Sequence, residues 1–256
     1  MRRLIPVLAA LLVAGCGSPS TDAPATGGTS GVTGDVTVFA AASLTEAFTR
    51  LGEDFEAAHP GAAVRFNFGG SSALARQLNQ GAPADVFASA APANMRQVID
   101  TGTITATPTT FARNSLQIAV PRGNPGGVGG LADFGEAGLK IALCAEQVPC
   151  GAAAEEVFEA AGITPRPDTL EQDVKAVLTK VSLGEVDAAL VYRTDVRAAG
   201  GAVEGIDFPE SGEAVNDYPI APLAKAPNAA GAEAFLAHVL SDRGRAVLAE
   251  AGFAAP

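Results

Sequence analysis

The sequence predicts an α/β protein of two lobes, with mainly parallel sheets flanked by helices and a cleft between the lobes. Three observations carry this. Short apolar strands alternate with amphipathic helices from Asp35 onward, the pattern of parallel sheets covered on both faces. Two extended segments, near residues 111–115 and 217–220, interrupt that alternation, so the chain crosses twice between its halves, a hinge geometry. The 256 residues, 48% hydrophobic and 18% charged, suffice for one large domain or two small lobes. The division places residues 35–112 and 217–256 in one lobe and 113–216 in the other.

The elements follow in order. Residues 36–40 read as a strand, and Leu44, Ala47, Phe48, Leu51 and Phe55 recur at helical spacing after it. Ser43 and Glu46 match the S-x-x-E pattern of a capping box. A strand at 64–68 leads through "GGSSALARQLNQG" into a helix ending at Gly81. A short strand at 84–90 precedes a helix over 92–100. Strands at 115–120, 139–143 and 187–192 enclose helices at about 151–161 and 171–183, with Gly162 and Gly184 as stops. Residues 217–224 form a late extended crossing, and 229–251 are helical with a break near Asp242.

The first 34 residues stand apart. Arg2 and Arg3 precede an apolar stretch at 4–13 that is too short to span a bilayer. It ends in "LVAGC", which resembles the cleavage box of bacterial lipoproteins. The expectation is a signal peptide over 1–15, with Cys16 lipidated as the new N-terminus. Residues 17–34 are polar and rich in Gly, Ser, Thr and Pro, a flexible tether spanning roughly 25 Å. The working part then sits outside the cytoplasm, anchored to the membrane.

Charge and composition exclude several classes. A net charge of −11, from 17 basic and 28 acidic residues, argues against nucleic acid. It does not repel a small anion held at close range, because distant charge is screened within about 8–10 Å. Tryptophan is absent, so stacking platforms for sugars or bases are not expected. His59 and His238 have no second histidine or cysteine at three or four residues' spacing. "GGSSA" does not match the G-x-S-x-G elbow, so Ser71 as a hydrolase nucleophile has no evident base. "GNPGGVGG" at 123–130 reads as a disordered connector rather than a nucleotide loop. The C-x5-C spacing of Cys144 and Cys150 suits neither a redox nor a zinc motif, and in an exported protein it reads as a disulfide. No enzyme is expected.

What remains is the turns. Ser43 and Ser71 stand where strands give way to helices, and so do "VPCG" and the residues before Val174. Helix N-termini offer unpaired N–H donors and partial positive charge, so several in one cleft would form an anion site without lysine or arginine.

The segments "VFAAASLTEAF", "GGSSALARQLNQGAPADVFASA", "EQVPCG", "EQDVKAVL", "ALVYRTD" and the closing "AGF" together resemble the extracytoplasmic molybdate-binding proteins of bacterial ABC importers. The likeness runs from Asp35 to Phe253. It implies a two-lobed type II periplasmic-binding-protein fold, a monomer that takes molybdate or tungstate and no cofactor. The implied partner is a membrane permease with its cytoplasmic ATPase. By resemblance, the ligand is held by the hydroxyls and amides of Ser43 and Ser71, the amides of Cys150 and Val174, and the phenol of Tyr192. Cys150 departs from the small residue expected there, and Ser72 competes with Ser71. Another tetrahedral oxyanion, sulfate or phosphate, is the alternative. Iron would want a tyrosine pair, and the second tyrosine, Tyr218, lies in the later crossing.

Overall fold

The computed structural model describes residues 31–256; the leader, Cys16 and most of the tether lie outside the described residues. In chain order the elements are β1 (Thr33–Ala41), α1 (Thr45–Ala58), β2 (Gly61–Gly69), α2 (Ser71–Asn79), β3 (Val86–Ala88), α3 (Pro92–Asp100) and β4 (Thr109–Pro121). There follow β5 (Ile141–Cys144), α4 (Pro149–Ala161), β6 (Thr169–Glu171), α5 (Val174–Ser182), β7 (Ala188–Tyr192), α6 (Arg193–Ala199) and β8 (Val203–Ile206). The chain ends with β9 (Val215–Pro222), α7 (Ala229–Leu240) and α8 (Asp242–Ala251).

The described strands form one nine-stranded path in the order β2-β1-β3-β9-β4-β7-β5-β6, with β8 added to β4. Pairing is parallel where strand–helix units repeat, β1 with β2 and β3, and β5 with β6 and β7. It is antiparallel wherever β4 or β9 takes part. These two are the predicted crossings, and they lie side by side. β4 pairs with β9 from Thr109↔Ile220 to Ser115↔Val215, then with β7 from Leu116↔Tyr192 onward. One strand thus changes partner between Ser115 and Leu116, and the sheet has a wing on either side of that point.

Each wing has its own apolar core. The first gathers β1, α1, β3 and the tail helices around Phe48, whose ring lies 5.7 Å from Phe111 and 6.1 Å from Phe235. A satellite cluster under α2 and α3 includes Leu74, Phe87 and Met95. The second core packs β5 and β7, buried along their whole length, against α4 and α5. Continuous apolar strands between two helical layers are what parallel pairing demands.

Several elements match their predicted limits closely. α3 spans Pro92–Asp100 with its proline in the first turn. α4 and α5 stop near Gly162 and Gly184, both with positive φ (67° and 68°). Three differences have physical reasons. β1 begins at Thr33, inside the stretch assigned to the tether, because Thr33 and Gly34 pair with Gly61 and Ala62 of β2. The ladder uses backbone groups and tolerates polar side chains. The 123–130 segment is an ordered loop: the Asn124 carboxamide accepts from Val128 N–H (3.0 Å) and donates to Val128 O (2.8 Å). β6, β8 and α6 have no counterpart in the sequence-based reading, being too short to show a period.

Candidate anion site

Six chain segments at the carboxyl ends of strands meet at one small cavity between the wings. It measures about 10 Å³ and is lined by Ala41, Ala42, Ser43, Gly69, Gly70, Ser71, Ala90, Val148, Pro149, Cys150, Asp173, Val174 and Tyr192. All five predicted ligand residues are among them, and open α/β sheets bind ligands at such strand ends. In this arrangement the space is of the size that suits a compact inorganic ion.

Ser71, Cys150 and Val174 each fall in the first turn of a helix, of α2, α4 and α5 respectively. Backbone N–H groups there have no carbonyl a turn behind them. Ser71 is 1% exposed, and its Oγ accepts a hydrogen bond from Ala90 N–H at 3.0 Å. With an acceptor site occupied from behind, the Ser71 proton is left to donate elsewhere. Ser72 Oγ is buried without a partner among the described residues, yet Ser72 does not line the cavity. Gly70 allows the wings to meet here: a Cβ at this position would lie 2.2 Å from the Gln172 carbonyl oxygen.

Ser43 overturns one expectation. The capping box with Glu46 does not form. Ser43 sits in a 3-10 turn (Ala42–Leu44), Leu44 precedes α1, and no side chain caps that helix. The Ser43 hydroxyl instead shares a hydrogen bond of 2.9 Å with the Tyr218 hydroxyl, 175 residues away. Glu46 reaches the other wing, where both its oxygens accept from Lys175 Nζ at 2.8 Å. A pairing across the junction outcompetes the local cap.

Cys144, at the end of β5, and Cys150 form the predicted disulfide, with Cα atoms 5.7 Å apart. It ties the loop that carries the Cys150 amide to the strand behind it. Tyr192 ends β7. Its hydroxyl is buried and makes no hydrogen bond of normal length and angle among the described residues, although the Tyr218 hydroxyl is close enough to influence it. Burial, then the neighbouring Tyr218 and Asp195, push its ionisation far above the usual range, so it remains a neutral donor.

The cavity lining holds no lysine, arginine or histidine. Its one carboxylate, Asp173, caps α5, with Oδ1 accepting from Ala176 N–H at 2.9 Å. Outside the lining, Lys175 Nζ lies 3.1 Å from Asp195 Oδ1. Burial pushes the Asp195 carboxyl up to about 6, against the pull of Lys175 and the Tyr192 N–H, which donates to Oδ2 at 3.1 Å. Burial lowers the Lys175 pKa, but Asp195 and Glu46 together raise it above its usual value. Sequence reading missed Lys175, Asn114 and Tyr218, because only the fold brings them beside the site.

The two tyrosines do stand together, ring centroids 6.1 Å apart. Tyr218 does not line the cavity, however, and among the described residues no three His, Cys, Asp or Glu side chains cluster as metal ligands. His59 and His238 both pack against Phe55 in the first core, and neither lines the cavity.

Residues 36–254 match the model of the bacterial extracellular solute-binding proteins. The chain is 44% identical over 253 residues to the molybdate-binding protein ModA of Mycobacterium tuberculosis, covering 98% of this chain and 97% of that one. It is 31% identical to ModA of Escherichia coli over 236 residues, or 86% and 89% of the two chains. In structure it is similar to the periplasmic molybdate-binding protein of Azotobacter vinelandii, with a TM-score of 0.76 at 21% identity over 86% of this chain and 99% of that one. The sulfate-binding protein SubI of M. tuberculosis has a TM-score of 0.69 at 16% identity over 86% of each chain.

Proposed function

Because the chain belongs to the bacterial extracellular solute-binding proteins, we propose that it binds molybdate, and tungstate with it, between its wings. The observation that carries this reading is the buried Tyr192 hydroxyl, without a hydrogen bond of normal geometry among the described residues, at a cavity lined by three helix N-termini and no cation. Such a site suits an anion that brings acceptors on every side. Ser43, Ser71 and Tyr192 give hydroxyl donors, and the amides of Ser43, Ser71, Cys150 and Val174 complete the cage. Hydrogen bonds to a charged group contribute about 1.5–3 kcal/mol each, so several offset the dianion's desolvation.

The wings then act as lobes, residues 35–112 with 217–256 and residues 113–216, closing about β4 and β9. Cavity size selects the ion. A smaller oxyanion such as sulfate leaves donors unmet, and an unmet buried donor costs affinity. The closed, loaded monomer is the form handed to a membrane permease driven by a cytoplasmic ATPase, with Cys16 as the lipid anchor.

A thermal-shift panel of molybdate, tungstate, sulfate and phosphate tests this. The first two are expected to raise the melting temperature, and Tyr192→Phe to shrink that shift. Stabilisation by sulfate or phosphate in preference would move the assignment to that oxyanion.

A further inference from the structure

The neutral cage works only if each hydroxyl turns its proton toward the anion, and for Ser43 the structure leaves that choice to residues behind it. Ser43 Oγ carries one proton. Its partner Tyr218 Oη also carries one, and at 2.9 Å either can donate. If Ser43 donates to Tyr218, its lone pairs face the cavity and repel the anion. If Tyr218 donates to Ser43, the Ser43 proton is free for the ligand.

Asn114 breaks the tie. Its Oδ1 accepts from Ser115 N–H at 3.1 Å, which fixes the carboxamide's orientation. Nδ2, a pure donor, therefore faces Thr194 Oγ1 (2.8 Å) and Tyr218 Oη (3.5 Å). The Tyr218 oxygen already faces a donor on that side, and its own proton goes to Ser43, the partner within hydrogen-bond distance at 2.9 Å, in preference to the neighbouring Tyr192 hydroxyl. All three residues are buried; Tyr218 has no exposed surface.

Resting on the molybdate reading, we propose that Asn114 and Tyr218 are positioning residues that orient the Ser43 proton toward the anion. The order of donation runs Asn114 to Tyr218 to Ser43 to ligand. Neither residue lines the cavity. They act through Ser43, in parallel with Ala90 N–H, which holds Ser71 in the same sense. Because Asn114 and Tyr218 lie on the two crossing strands, the relay comes from the junction of the wings and depends on the partner exchange of β4.

A double-mutant cycle on the full chain tests this with molybdate titrated by calorimetry. Ser43→Ala alone is expected to weaken binding about 10- to 100-fold. Tyr218→Phe is expected to weaken it about 5- to 20-fold in the native background and less than about 2-fold in the Ser43→Ala background. Asn114→Leu, similar in volume, should give a smaller loss with the same dependence on Ser43, which keeps the test open if Tyr218→Phe fails to fold. Equal losses from Tyr218→Phe in both backgrounds would assign Tyr218 a purely structural role and overturn the relay. So would full affinity in Tyr218→Phe alone. If the unmodified chain binds neither molybdate nor tungstate, the functional reading itself fails, and the relay falls with it.

Discussion

Asp195 shows how far burial reshapes a single residue beside the site. Its carboxyl is pushed up to about 6, from a usual value near 3.8. The native state therefore binds a proton in a pH range where the unfolded chain does not. Ionised Asp195 weighs against the fold above about pH 6, and stability from this group rises as pH falls from there toward 4. Asp195→Asn removes the titration. Relative to that variant, the native chain should gain on the order of 2 kcal/mol in urea melts between pH 7 and pH 4; parallel profiles would contradict the assignment. At this scale the site was only partly legible in the sequence. The strand-to-helix turns at Ser43, Ser71, Cys150 and Val174 follow from hydrophobic period, whereas their role as ligands, and Tyr192 altogether, came from the resemblance to the molybdate-binding family. Asn114, Tyr218 and Lys175 were not legible, because the contacts that bring them to the site, with Thr194, Ser43 and Glu46, span 80 to 175 residues. No local pattern encodes such a contact.

Among elements, the loop between β5 and α4 matters most to the cage, since it presents the Cys150 amide. The Cys144–Cys150 ring is small, so chain entropy alone gives it roughly 2 kcal/mol of stabilisation. Its larger effect is local. Cys144→Ala with Cys150→Ala keeps an amide at position 150 but frees the loop, and should weaken molybdate binding about 3- to 10-fold by calorimetry through the entropy of re-ordering it. Unchanged affinity would show that α4 holds the loop unaided. The long elements were readable because their period is repeated: α1 shows its apolar face at Leu44, Ala47, Phe48, Leu51 and Phe55. β6, β8 and α6 are three, four and seven residues long. Each is fixed by the sheet edge or helix it joins, and the Ser43–Glu46 pattern misled because a distant partner offered each side chain a better bond.

In the whole molecule, Glu46 and Lys175 join α1 of one wing to α5 of the other, directly behind the site. If the wings close as lobes on the ligand, as proposed above, this pair joins them in the closed form and adds to the free energy of closure. Partly exposed pairs contribute about 0–1 kcal/mol, which sets the scale for Glu46→Gln: binding weakened up to about fivefold at low salt, and less at high salt. The sign is diagnostic. Removing a negative charge near an anion would by Coulomb attraction alone strengthen binding, so tighter binding by calorimetry would exclude the latch. The Gly70–Gln172 approach bears on the same motion differently. Backbone meets backbone there, so the width of the gap is set by main-chain van der Waals contact and not by which rotamers neighbouring side chains adopt. Thermal agitation loosens side chains first. A gauge built from main chain keeps its tolerance on warming, and the discrimination between oxyanions of different radius should soften far less with temperature than the affinity itself.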